Sequence, residues 1–533
     1  MTEFDRLAGM VMRGAISRRD FLGRTAAISA LSVLPAALIA PSVARAEPKR
    51  GGKIRFGMSD GSATDSLDPG LWPGSFAQCA LGGAMCNNLT EILPDGSIVG
   101  DIAESFEAAD NSSRWVFKIR SGVTFHNGKS LTTDDVIHSI QHHMGKDSKS
   151  AAKSLLEQIE EIKVDGPNSV QFKLKGPSPD FSYMMADYHL PILPSKLGGG
   201  IDISAPMGTG AFVMQGYSPG NSAKLSRNPN YHKENKPYLD EVEFIPILDV
   251  AARANALMTG EIDFMQDCDL KTLGLLKRRK EIKIQDIAST RHYTFDMNTQ
   301  LEPFNNPDVR EAIKYAFPRD EIIEKVFLGT ARVGNDNNVA SSMKFFAETP
   351  PQYAYDPAKA KELLKKAGLE TVTVNLSVAE AGFPGATDAA VLFKARAEAA
   401  GVIVNIVREA DDGYWSKIFL QKPFYAVEWY GRATVDWLYS TTMIDGAPWN
   451  TTKFNNPRFE ELYKAARSEA DDTKKAAMYA EMQQIVHDDG GMITVAFLSY
   501  LNAVSEKVRF GDVGGIFPGD NTRMAERWWV DEA

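Results

Sequence analysis

The residues able to carry chemistry in this 533-residue chain are few and badly placed for it. His142 and His143 are adjacent, so on a helix they point to different sides and share no metal face. His126 sits in Phe125-His126-Asn127-Gly128, which reads as a turn between strand and helix, and each histidine reads as a hydrogen-bonding residue. Gly208-Thr209-Gly210 lacks the further glycine of a dinucleotide-binding turn, and no glycine-rich phosphate loop ends in Lys-Ser/Thr. A nucleophile elbow is not recognised either. The carboxylate pairs Asp134-Asp135, Asp411-Asp412 and Asp471-Asp472 fall at helix starts or turns, where they act as caps and dipole partners. The expectation is a protein with no catalytic residues, no metal and no cofactor.

Aromatic density is the exception. Tyr414, Trp415, Phe419, Phe424, Tyr425, Trp429, Tyr430, Trp437, Tyr439 and Trp449 place ten rings in 36 positions, interrupted by Lys417, Lys422, Glu428, Arg432 and Asp436. About half of these rings read as core. The stretch from Tyr430 to Trp437 shows neither strand nor helix period, so it reads as an irregular loop carrying both Arg432 and Asp436. Such a loop suits a pocket for a charged small molecule. Rings from Trp415, Trp429, Tyr430 and Trp437 would stack the ligand body, while Asp436 or Arg432 pairs with its charged end.

The elements that must hold this loop are legible from periodicity and caps. Residues 53–59 form a first strand, and Trp115, Phe117 and Ile119, like Val170, Phe172 and Leu174, alternate as half-buried strands. Thr132-x-x-Asp135 is a capping box ahead of Ile137, Ile140 and Met144. Asn306-Pro307 and Asp356-Pro357 each supply an N-cap and a proline at the first helical position. Strand 372–378, helix 388–399 and strand 402–407 make a βαβ unit, which implies parallel pairing. A late helix around Met482 and Val486 precedes an apolar run at 492–498. The fold class is mixed α/β with several sheets.

With 44% apolar and 24% charged residues the composition is that of a globular protein, long enough for two to four domains. A net charge of −10 argues against a nucleic-acid partner. The N-terminus reads as an export signal: Arg18-Arg19 ahead of Phe21-Leu22, a short apolar stretch at 26–40, and Val43-Ala44-Arg45-Ala46 with cleavage expected after Ala46. The paired arginines resemble the twin-arginine pattern. Without residues 1–46 the chain keeps 487 residues and a net charge of −13. An oxidising destination leaves a Cys79–Cys86 bridge open.

Ordered blocks along the chain resemble the large bacterial solute-binding proteins of peptide-type ABC importers, the dipeptide, oligopeptide and nickel group. They are Gly51-Gly52-Lys53-Ile54 with Leu67-Asp68-Pro69, then Asp101-Ile102-Ala103-Glu104-Ser105-Phe106. The most characteristic runs from Trp115 to Gly128 and is completed by Asp134-Asp135-Val136. Further blocks are Gly208-Thr209-Gly210-Ala211-Phe212, Arg227-Asn228-Pro229-Asn230-Tyr231, Leu257 to Asp263, Phe304 to Arg310, and Tyr355-Asp356-Pro357.

The resemblance implies a two-lobed periplasmic binding protein, type II and cluster C-like, with an extra subdomain and hinge closure over a buried cleft. The first lobe would be assembled from 47–82, 206–296 and 506–533, the extra subdomain from 83–205, and the second lobe from 297–505. The implied protein is periplasmic and monomeric, and hands a peptide, amino-acid derivative, opine or similar charged compound to permease subunits. Trp72 and Tyr293 are further expected contacts, the latter within Arg291-His292-Tyr293, which either reaches the cleft from the hinge side or ends a surface strand. One departure is local: where peptide-binding members carry an aspartate after Gly431 to hold the peptide amine, this chain has Arg432. A metal- or heme-carrying or chaperone-like member of the same fold is the alternative, with an exported hydrolase a more distant one.

Overall fold

The computed structural model describes residues 48–531 apart from Pro73, Asp412, Gly413, Pro448 and Ala470, with the side chains of Leu270, Lys271 and Ser416 also left aside. The expected export signal and one member of the Asp411-Asp412 pair lie outside the described residues. A ten-stranded mixed sheet runs through the molecule. Its order is Val402–Arg408, Val372–Val378, Phe424–Trp429, Ile282–Met297, Met492–Ser505, Phe264–Met265, Lys53–Met58, Glu241–Pro246, Ser222–Arg227 and Phe212–Ser218.

Two of these strands, Ile282–Met297 and Met492–Ser505, are 16 and 14 residues long and pair antiparallel. At one end Met492–Ser505 also pairs with Phe264–Met265, and at the other Ile282–Met297 pairs with Phe424–Trp429. Each long strand therefore belongs to both lobes. Their register is regular from Ile282↔Ser505 to Ala288↔Ser499, then shifts before His292↔Phe497. Residues 289–291 thus form a bulge that bends the pair and re-aims its side chains.

Each lobe buries its own core. The first packs Ile54, Phe56, Phe244, Phe264, Val504 and Trp528; the second packs Phe295, Ile313, Phe317, Val374, Phe393 and Ile493. A four-stranded antiparallel sheet, Ala103–Ala109, Arg114–Ile119, Ser169–Leu174 and Ile159–Val164, closes a third core around Phe117, Phe172 and Phe181. Ala433 and Trp437, from the segment after Phe424–Trp429, pack into this third core.

The local signals act as their chemistry dictates. The Thr132 hydroxyl accepts from the Asp135 N–H, and the Asp135 carboxylate accepts from the Thr132 N–H at 2.8 Å, starting helix Thr133–Met144. Asn306 and Asp356 cap helices Pro307–Tyr315 and Pro357–Lys366. The βαβ unit pairs in parallel from Val372↔Val402 to Val378↔Arg408. Its helix, Ala386–Ala397, begins two residues before the expected start and ends through a 3-10 turn at Gly401, whose φ of 79° suits glycine.

The Cys79–Cys86 bridge does not form. All three cysteines are free and buried, and the Cys79 and Cys86 thiols face different carbonyls, Pro518 and Met207, each at 3.8 Å. Burial pushes the Cys86 thiol up to about 12. The C-terminal segment is pinned by buried ion pairs, Arg523 to Asp101 at 2.8 Å and Arg527 to Glu91 at 2.6 Å. No helix among the described residues is long and apolar enough to cross a membrane.

Candidate functional site

Strands Lys53–Met58 and Phe264–Met265 are parallel neighbours, and chain leaving their carboxyl ends supplies one wall of a cavity. Open α/β sheets place ligands at this edge. Two residues past each strand stands a carboxylate, Asp60 and Asp267. Asp60 accepts from the N–H groups of Ser75 and Phe76, each at 2.8 Å, and Asp267 accepts from the Ser59 hydroxyl at 2.7 Å. Gln266 accepts from the Ser75 hydroxyl at 2.8 Å and ties the two loops together.

The bulge of the long strands supplies Arg291. Its Nη2 donates to Glu428 at 2.7 Å, and its guanidinium lies 5.4 Å from the Tyr430 ring centre and 5.8 Å from that of Tyr500. Its buried Nε has no partner.

The second lobe contributes Arg432. Strand Phe424–Trp429 ends just before it, and Thr434 caps helix Val435–Thr442 just after it by accepting from the Trp437 N–H at 3.2 Å. The guanidinium lies between two indoles, 5.5 Å from Trp437 and 5.1 Å from Trp449. Nη1 donates to the carbonyls of Tyr430 and Gly431 at 3.0 and 3.2 Å, while the buried Nε has no partner. No carboxylate among the described residues lies within ion-pairing distance of it; Asp187 is near but hydrogen-bonds His189 at 2.8 Å. Burial lowers the Arg432 pKa, with Tyr188 and Asp187 opposing, yet a guanidinium remains charged. A desolvated cation with an idle donor attracts a carboxylate or similar anion.

These groups line one cavity of about 330 Å³, together with Gln78, Tyr188, Phe517 and Thr441. Space of that order suits a compact ligand, not a long chain. A larger cavity of about 510 Å³ borders residues 332–352, but its arginine, Arg332, already contacts Ser499 at 2.7 Å and Asp286 at 3.8 Å.

Gly431 packs directly on the bulge. A Cβ there would fall 1.5 Å from the Thr290 hydroxyl and 2.4 Å from its Cβ. Gly431→Ala is therefore expected to push the Arg432 loop off the bulge. It should destabilise the protein by about 1–3 kcal/mol, as overpacking does, and weaken solute binding more than tenfold. Thermal melts and calorimetric titration check both.

Of the residues expected at the site, Arg432, Tyr430 and Trp437 line the cavity, Tyr430 being 64% exposed. Five do not. Asp436 is 1% exposed, and its carboxylate turns to Arg467 at 3.3 Å, because 434–442 is a capped helix and not an irregular loop. Burial first, and Asp180 second, push Asp436 up to about 7. Trp429 is buried and donates to the Thr294 hydroxyl at 3.1 Å. Tyr293 stacks on Phe383 at 4.5 Å inside the second core. Trp72 is buried in the first core and donates to the Ser66 carbonyl at 2.9 Å. Trp415 is 46% exposed on short helix Tyr414–Lys417 and is absent from the cavity wall.

Sequence reasoning missed Asp60 and Asp267. The usable signal was an acid just past each parallel strand. It also passed over Gly216-Tyr217-Ser218-Pro219-Gly220, which has the spacing of a nucleophile elbow. The structure makes this segment the tip of an antiparallel hairpin, Phe212–Ser218 with Ser222–Arg227, and not a strand-to-helix turn. His142 and His143 diverge as expected, to Asp68 at 2.8 Å and Ser150 at 2.7 Å. No group of three His, Cys, Asp or Glu among the described residues is arranged to hold a metal ion.

Two lobes sharing a bulged strand pair, with a cavity lined from both, define a protein of the hinged binding class. Solved structures share the fold. The agropinic acid complex of AgaA from A. tumefaciens R10 covers 90% of this chain and 99% of its own, with a TM-score of 0.74 at 22% identity. DppA from Helicobacter pylori with the peptide STSA covers 91% and 99%, with a TM-score of 0.73 at 24% identity. The sequence profile of the bacterial extracellular solute-binding proteins, family 5, matches residues 97–451, and the chain belongs to that family, the substrate-binding proteins of ABC importers. Among curated relatives, the dipeptide-binding protein of Escherichia coli K12 is 25% identical over 502 residues, covering 85% of this chain and 90% of its own. The glutathione-binding protein of Pectobacterium atrosepticum is 24% identical over 463 residues, covering 84% and 89%.

Proposed function

We propose that the protein captures a small, peptide-like or opine-like solute bearing an anionic group and delivers it to a membrane permease without altering it. The unpaired guanidinium of Arg432 between Trp437 and Trp449 carries this reading. The solutes named for its relatives, a dipeptide, glutathione and agropinic acid, support a compact solute that carries an acid group. In this reading the chain is exported to the periplasm, cleaved after Ala46 and works as a monomer. The first lobe is built from 47–82, 206–296 and 506–533, the extra subdomain from 83–205 and the second lobe from 297–505. The pivot lies in the bulge at 289–291, short of the boundary at 296.

Native mass spectrometry of gently purified protein is expected to show a retained small acid. Adding that compound back should raise the melting temperature by mass action on the native state. No retained mass, and no shift across peptides, amino acids, opines and organic acids, would defeat the reading.

A further inference from the structure

The cavity is polarised between the lobes. Its second-lobe and hinge walls are formed by Arg432, Arg291 and Trp437, each of which also keeps one buried N–H without a partner, Arg432 Nε, Arg291 Nε and Trp437 Nε1, the last on a residue 3% exposed. Its first-lobe wall carries Asp60 and Asp267, whose carboxylates meet only hydroxyl and backbone donors. No lysine or arginine among the described residues lies within ion-pairing distance of either acid. Arg253, the cation behind Asp267, gives its donors to the carbonyls of Gln266, Ile247, Leu248 and Asp267. Arg291 is already committed to Glu428.

We propose that Asp60 and Asp267 form a subsite for a protonated amine, so that the solute bridges the lobes with its amine on the first and its anionic group on Arg432 of the second. The proposal rests on the solute-receptor reading above and specifies its ligand: a dipolar compound with separated ammonium and carboxylate groups. Neither carboxylate has a cation partner, and an ammonium held against them gains charge-assisted hydrogen bonds. The polarity is the reverse of that implied by the peptide-binding resemblance, in which the acid after Gly431 would take the amine. Arg432 repels an amine there, and the acids past the two parallel strands provide for it instead. A bridging dipole also explains closure. A solute with one charge satisfies one lobe in either state, whereas a dipole gains its second contact only when the lobes meet.

The test uses matched triads of amino acids, dipeptides and N-carboxyalkyl amino acids: the free compound, its N-acetyl form and its C-terminal amide. These are titrated into the full protein, with small-angle scattering to follow closure. At least one free member is expected to bind and compact the protein, with its acetylated and amidated forms weaker by about tenfold or more. In the Asp60→Asn/Asp267→Asn double variant the free and acetylated forms should bind alike, a change of preference that misfolding cannot mimic. Asp60→Asn and Asp267→Asn singly keep the test open if the double variant fails to fold. The subsite is overturned if acetylated and free forms bind the wild type equally, if the variants keep the wild-type preference, or if the retained solute lacks an amine. In that last case the receptor reading still stands. If no free member binds while other anions do, the amine subsite falls; if nothing binds or is retained, the receptor reading falls with it.

Discussion

Arg432→Ala is expected to abolish solute retention while leaving the ligand-free protein folded. Arg432 is the cavity-lining cation with no carboxylate within ion-pairing distance among the described residues, and its donors are otherwise met only by the carbonyls of Tyr430 and Gly431. Truncating one member of a buried, hydrogen-bonded charge pair costs roughly 2–5 kcal/mol, so affinity should fall about a hundredfold. Without solute the same cation is a liability, because burial lowers its pKa and no counter-ion offsets its desolvation. The variant should therefore melt no lower than the ligand-free wild type, apart from lost stacking on Trp437 and Trp449. Arg432→Lys discriminates further: it keeps the charge but loses the planar fork between two indoles, and should recover only part of the affinity. Calorimetric titration beside a melt checks both, and tight binding by the alanine variant would remove Arg432 from the site.

The second large effect concerns Asp436, the acid that the cavity does not use. Burial, reinforced by Asp180, raises its pKa from 3.8 to about 7. Between these values the folded protein holds a proton that the unfolded chain has released. Its contribution to stability is therefore full below about pH 4 and is lost as pH rises through 7. Asp436→Asn keeps the neutral, hydrogen-bonding shape at every pH. The variant should match the wild type near pH 4 and exceed it at pH 8 by on the order of 2–4 kcal/mol. Asp296, raised to about 7 by burial, and His292, lowered to about 4 by burial, titrate in both proteins and cancel in the difference. Asp180, itself raised by burial, is instead relieved of the Asp436 charge and adds to the gain at pH 8. Melts from pH 4.5 to 8.5 read the effect. Equal pH profiles would show that Asp436 ionises as an ordinary carboxylate, with Arg467 fully compensating it.

The sequence shows most clearly those features set by neighbours along the chain. The Thr132 capping box, the proline-started helices at 307 and 357 and the parallel pair 372–378 with 402–408 are local patterns, and they form as their residues dictate. Arg432 was legible for the same reason, as a charge among rings. Asp436 was misplaced because helix Val435–Thr442 spans only eight residues, too few to show its period, and Thr434 as its cap was the overlooked sign. Asp60 and Asp267 belong to a different category, and Arg291 was open in the sequence between a cleft residue and a surface strand end. Asp60 and Asp267 lie far apart in the chain and meet only because two distant strands pair in parallel, while Arg291 faces the cavity only because the long strands slip register at 289–291. Trp72 and Tyr293 have the right residue types, but packing turned them into the two cores.

The order in which the first lobe is assembled sets how the chain is made. Lys53–Met58 is the first of its strands to be synthesised, yet the core that covers Ile54 and Phe56 includes Val504, Met524 and Trp528 from the far end of the chain. Arg523 and Arg527, which bind Asp101 and Glu91, arrive just as late. The lobe begun first is thus completed only when residues 504–528 arrive. Until then part of the core around Ile54 and Phe56 stays open, although Phe244 and Phe264 reach it by mid-chain, and that is the interval in which aggregation competes with folding.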